Sequence, residues 1–200
     1  MKKKSKRLSG IAPAIMFLPF IFMSVKPASH SKNNPFTHAV PFLQEPKYTI
    51  EEAGTPARYL LYVTDSATST AEITKKFIHI IPVELGGFMK KNGLKMAGVP
   101  LAWYYSDKPP FVFDIAAQVD KLPEHTEGRI QTKTLPAGKA VVVHFYGPYE
   151  LTSKAYAAAQ KWMEDNHKTA AGAPYEVYLG DPGIEKDPYK ILTDIVFPVQ

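Results

Sequence analysis

The run Asn92-x5-Gly98-x-Pro100-x3-Tyr104 recurs as Asn166-x5-Gly172-x-Pro174-x3-Tyr178, every position displaced by 74. Extended backwards, the same offset pairs Phe88 with Trp162 and Met89 with Met163. Further on, Asp114-Ile115…Val119 matches Asp194-Ile195…Val199 at an offset of 80. The six added residues fit in the loop Gly180-Asp-Pro-Gly-Ile-Glu-Lys-Asp-Pro188. An internal repeat of this length predicts two like units about a pseudo-twofold axis, with a natural cleft at their seam.

The pattern between the matched positions names the unit. Arg58–Thr64 is rich in β-branched and aromatic residues and reads as a strand, as the chain does more loosely from Lys47. Thr70–Asn92 reads as a helix capped by Thr70, divided near Pro82 and ended by Gly93. Strands follow at Pro100–Tyr105 and Phe111–Ala116. The order then repeats: strand Ala140–Tyr146, helix Glu150–Asn166, strands Pro174–Leu179 and Ile191–Phe197. The expected fold is α+β: two β-α-β-β repeats, about 47–121 and 127–200, with antiparallel sheets, helices and a cleft between the repeats.

Ahead of this domain, Lys2–Arg7 is a basic run and Ile11–Val25 an apolar one. Residues 1–30 are expected to be a signal peptide or an N-terminal membrane anchor, with the domain exported, periplasmic or held outside the cytoplasm. Residues 31–46, with Asn33-Asn34-Pro35 and Glu45-Pro46, read as a linker. The six basic residues of 1–30 account for the net charge of +5. Beyond them stand 18 basic against 19 acidic side chains, a net of −1, so no nucleic-acid partner is expected. The chain has no cysteine, which excludes disulfides, thiolate chemistry and a lipid-bearing Cys. Its six histidines show no metal-ligand spacing, and phosphate-loop and nucleophile-elbow motifs are missing, so no metal and no cofactor is expected.

Several segments resemble the GyrI-like effector-binding family: His144-Phe-Tyr-Gly-Pro-Tyr149, the Trp162 helix, Pro174-Tyr-Glu-Val-Tyr178, Asp181-Pro182 and Asp194-Ile-Val-Phe-Pro-Val199. That family includes ligand-binding domains of AraC-type and MerR-type regulators. The resemblance covers roughly 47–200 and implies a cleft for hydrophobic, often cationic, small molecules. It places Glu176, the Glu of the Tyr-Glu-Val-Tyr strand, in that cleft. An export signal stands here where those regulators carry a DNA-binding domain, which points to an envelope-located sensor or scavenger whose protein partner is unknown.

Glu176 and Tyr178 are two apart on a strand and share a face. A carboxylate among aromatic rings suits a lipophilic cation. Tyr104, Tyr146, Tyr149 and Trp103 are the other candidate ligand-binding residues. The first repeat has Ala102 where the second has Glu176, so the cleft would carry a single acid. Two alternatives stand beside a non-enzymatic binder. One is a hydrolase of strained, cyclopropane-bearing toxins, in which Glu176 and Tyr178 would be catalytic. The other is a haem binder of SOUL-like architecture, drawing on His79, His125 or His144.

Overall fold

The computed structural model describes residues 44–200. The predicted signal or anchor at 1–30 and residues 31–43 of the predicted linker lie outside them. Among the described residues no helix is long and apolar enough to cross a membrane.

The chain runs β1 (Lys47–Thr55), β2 (Arg58–Ala67), α1 (Thr70–His79), a π-helical turn (Ile80–Leu85), α2 (Gly86–Lys91), β3 (Leu101–Tyr104) and β4 (Phe111–Val119). It continues with β5 (Gln131–Leu135), β6 (Gly138–Tyr146), α3 (Thr152–Asp165), β7 (Tyr175–Tyr178) and β8 (Leu192–Val199). The expected β-α-β-β order is therefore present twice. Each copy is preceded by one more strand, β1 or β5. All eight strands form one continuous antiparallel sheet in the order β1-β6-β8-β7-β3-β4-β2-β5. Read from either end, the order exchanges one half for the other. The added strands are swapped: β1 pairs with β6 of the second half, and β5 pairs with β2 of the first.

The repeat can be followed bond by bond. The Asn92 Nδ2 group donates to Phe88 O at 2.9 Å and Asn166 Nδ2 to Trp162 O at 2.8 Å, closing both helices alike. The bridge between Met96 and Val119 is matched by that between Ala170 and Val199. At the centre β3 and β7 pair with Ala102 directly opposite Glu176, two positions related by the offset of 74. The pseudo-twofold axis therefore passes between them.

Local chemistry explains where the first helix begins and bends. Ser69, rather than Thr70, is its cap: the hydroxyl accepts from Glu72 N–H at 3.2 Å, and Glu72 in turn accepts from Thr68 N–H at 2.8 Å. Pro82 has no N–H to give, and it falls within the widened π turn that separates α1 from α2. After the helices, Gly93 adopts φ +62° and its counterpart His167 φ +55°. That left-handed region suits glycine and strains a residue with a Cβ. Replacing His167 with Gly is expected to stabilise the fold by about 1 kcal/mol, read from denaturant unfolding.

Alternation divides each strand between two faces. On one face α1, the π turn and α2 cover Leu61, Val63, Phe113 and Ile115, and α3 covers Val141, Val143, Phe145 and Ile195. These are two separate cores with a seam between them. On the other face Leu60, Leu101, Trp103, Tyr175 and Val177 pack together with Ala53 of β1 and Leu135 of β5. Those two strands are opposite edges in sheet order, so the sheet curls around this second face.

Candidate functional site

The seam between the two helix-covered cores lies over the pseudo-twofold axis, and its floor is β3 and β7. Ala102 and Tyr104 project into it from one half, Glu176 and Tyr178 from the other. The Tyr104 and Tyr178 hydroxyls, a repeat-related pair, meet at 2.9 Å. Tyr178 also donates to Glu176 Oε2 at 2.8 Å, so Tyr104 donates to Tyr178 and a proton-ordered chain ends on the carboxyl. Tyr156 of α3 donates to the other oxygen, Oε1, at 3.2 Å. Glu176 is 5% exposed and has no cationic partner among the described residues.

A carboxyl so enclosed resists ionisation. Burial raises the Glu176 pKa, and the hydroxyls of Tyr178 and Tyr156 only partly oppose it. Burial and the Glu176 charge in turn push the Tyr178, Tyr156 and Tyr104 phenols far above their usual value, so these three remain donors at any physiological pH. The surroundings are aromatic. Phe77 of α1 meets the Tyr178 ring edge-on at 5.0 Å and Tyr149 does so at 5.6 Å from the turn before α3. Thr193 of β8 lies on the same face, opposite Tyr178 in register. Its Oγ1 is wholly buried without a hydrogen-bond partner among the described residues, although the Tyr149 hydroxyl approaches it. An idle buried hydroxyl costs about 1–3 kcal/mol in stability.

Of the candidate ligand-binding residues, the fold brings together Glu176, Tyr178, Tyr104 and Tyr149. It does not bring in Trp103 or Tyr146. Trp103 is one position from Ala102 on β3, so it turns to the opposite face and packs on Tyr175 at 5.1 Å. Tyr146 ends β6 at 40% exposure, on the face opposite Phe145 and away from the seam. Tyr156, Phe77 and Thr193 belong to the cluster and were not anticipated. Tyr156 lies on the apolar stripe of α3 with Ala159 and Met163, which was a usable signal. The histidines weighed for haem are scattered: His79 and His125 are exposed, while His144 has Asp194 on Nδ1 at 2.7 Å and Glu51 on Nε2 at 3.3 Å.

The family model of the GyrI-like small molecule binding domain matches residues 87–200. This chain belongs to that family. The GyrI-like domain is also similar to solved structures. To the EcmrR C-terminal domain it is 24% identical, over 76% of this chain and 98% of that one, with a TM-score of 0.67. Against EcmrR in its complex with DNA the identity is again 24% and the TM-score 0.66, and the match spans 57% of that chain. A hydrolase from Listeria innocua matches at 15% identity over 78% of this chain and 94% of that one, with a TM-score of 0.53. No curated protein sequence matches the chain. Small-molecule binding is thus the activity class of the domain, and the EcmrR and Listeria likenesses support its fold.

Proposed function

We propose that the GyrI-like domain binds hydrophobic small molecules bearing a positive charge in the seam, with Glu176 as the charged anchor, and that it works at the cell envelope as a sensor or scavenger. The observation that carries this reading is the buried, cation-less carboxyl of Glu176 within a shell of tyrosine and phenylalanine rings. A ligand cation would supply the counter-charge the protein withholds, and the rings would supply apolar area and cation–π attraction. Phe77 and Tyr149 both stand edge-on against the Tyr178 ring, and the exposed Tyr149 is the outer of the two.

The test compares ethidium with neutral phenanthridine by calorimetry, in wild type and in Glu176→Gln. The substitution is expected to weaken ethidium binding by about 1–3 kcal/mol, the range for losing a charge-assisted contact, and phenanthridine far less. Equal losses, or none, would remove the anchor role. Turnover of a cyclopropane-bearing compound, lost in Glu176→Gln while binding persists, would replace the binder with a hydrolase.

The envelope assignment rests on the basic and apolar runs of residues 1–25. Cell fractionation should place the domain outside the cytoplasmic membrane. A protein of residues 31–200, with its net charge of −1, is expected to give no shift of duplex DNA in a gel at physiological salt. A salt-sensitive shift at micromolar protein would contradict that expectation.

A further inference from the structure

The second face of the sheet holds two pseudo-equivalent places, one filled from within and one open. In the first half Asp114 is 3% exposed and accepts from Thr64 Oγ1 at 2.7 Å, Tyr105 Oη at 2.6 Å and Lys133 Nζ at 3.1 Å. The same ammonium stands 4.2 Å from the Trp103 ring centroid and 4.6 Å from that of Tyr62. This place is therefore a complete ammonium site, an acid and two aromatic faces, occupied by a lysine of the swapped strand β5.

Carrying the repeat offsets across shows what stands in the second half. Asp114 becomes Asp194, Trp103 becomes Val177, Tyr105 becomes Leu179 and Tyr62 becomes Val142. Lys133 lies opposite Leu60 and Ala53 opposite Ala140, so Lys133 becomes Ala53. Trp103, Tyr105, Tyr62 and Lys133 each give way to a smaller side chain and the acid is kept, while Thr64, which donates to Asp114, becomes the larger His144 beside Asp194. The space so released is a groove of about 410 Å³, lined by Ala53, Val142, Val177, Leu179 and Asp194 among others. That volume is within the range of small-molecule sites.

The charges at the Asp194 end complete the comparison. His144 lies between Asp194 and Glu51. Even with its imidazole protonated, two carboxylates face one cation, so the trio retains a net charge of −1. Arg58, at the start of β2, lines the groove beyond the end of β1, where its Nη1 donates to the Tyr175 hydroxyl at 3.5 Å. The groove thus offers an acidic end around His144, an aliphatic floor and Arg58 at its far side, and has no counterpart of the Lys133 ammonium or of the Trp103, Tyr105 and Tyr62 rings.

We propose that this groove is a second ligand site, separate from the Glu176 seam, which takes a small organic amine: its ammonium at Asp194 and Glu51, where Lys133 stands at Asp114, and its apolar body over Val142 and Val177, where the rings of Tyr62 and Trp103 stand. The two sites occupy opposite faces of β7, since Glu176 and Val177 are neighbours on that strand.

The experiment is a titration of the full chain, methyl-labelled at valine and leucine, with phenethylamine and with 2-phenylethanol, followed by NMR. Phenethylamine should shift the methyl signals of Val142, Val177 and Leu179 saturably and bind at least fivefold tighter than the alcohol. Ala53→Lys, which introduces an internal ammonium at the Lys133-equivalent position, should weaken phenethylamine at least tenfold while leaving ethidium affinity unchanged. Asp194→Asn should weaken it at least fivefold, and the Ala53 variant leaves His144 and its partners intact should that substitution disturb the fold. The proposal is overturned by absence of saturable shifts, by equal affinity for the alcohol, or by an Ala53→Lys protein that binds phenethylamine like wild type. Loss of ethidium binding in Glu176→Gln bears on the seam alone, so the two sites fail or stand separately.

Discussion

Glu176→Gln is expected to unfold at higher temperature than wild type at pH 8, and at nearly the same temperature at pH 4. Burial raises the pKa of this carboxyl above 4.5 in the folded chain, so the folded state holds its proton more tightly than the unfolded state does. That preference supports the fold at pH values below 4.5 and is lost as pH rises through the raised folded value. Above it, the protein must either bury a charge or keep a proton that solvent would take. The amide carries neither cost, and its oxygen and NH2 can still pair with the Tyr178 and Tyr156 hydroxyls. The gain is estimated at about 2–4 kcal/mol at pH 8, the scale for relieving a buried charge with hydrogen-bonded surroundings. Thermal unfolding at a series of pH values measures it. A gain that is constant with pH, or a loss at pH 8, would show that Glu176 is not strained by its burial. The same experiment bears on function, because a site that improves the fold when its charge is removed is one held for something other than stability.

Asp114→Ala is expected to be severely destabilising, by about 3–5 kcal/mol. It leaves the Lys133 ammonium over two rings without its counter-ion and takes the acceptor from Thr64 and Tyr105. The lysine side chain is 28% exposed, so part of the cost is relieved by its swinging into solvent. The diagnostic is the double variant. Adding Lys133→Met to Asp114→Ala should recover more than half the loss, since methionine fills the space between the rings without a charge. Equilibrium denaturation of the wild type, both single variants and the double completes the cycle. Additive losses would mean that the two residues act separately.

The sequence made the centre of this fold legible and left its edges obscure. Asn92 and Asn166 cap their helices with the same side-chain bond, and Pro100 and Pro174 precede the two strands that cross the axis, so both kept their identity through duplication. β5 had no such marker. Gln131-Thr-Lys-Thr-Leu135 is polar, lies at the sheet edge and borrows its apolar contacts from the other half. In the site, the parity of Glu176 and Tyr178 was readable, and the offset of 74 carries it to Ala102 and Tyr104. By the same rule Trp103 is the counterpart of Val177 and belongs to the other face, so the misplaced residue was separable by counting. The stripe of α3 marks Tyr156 as facing the sheet, but its contact with Glu176, like the approach of Phe77 to Tyr178, is not found by counting. Which apolar helix residue reaches a strand acid depends on how helix and sheet cross, and no local spacing records it.

The exchange of β1 and β5 between halves has a bearing on where such a site comes from. A half-length chain with this pairing would lack a partner for its own first strand, and the missing ladder would be found only in another copy. Such a chain would exist as a homodimer, with identical residues facing each other where Ala102 faces Glu176. Two acids, or none, would then be the only choices at the crossing point. Two acids in contact resist ionising together, and none leaves no anchor. Joining the copies in one polypeptide removes that constraint, since each side of the crossing can mutate alone. A solitary carboxyl on the axis is a composition that fusion permits and that a symmetric assembly of halves cannot reach.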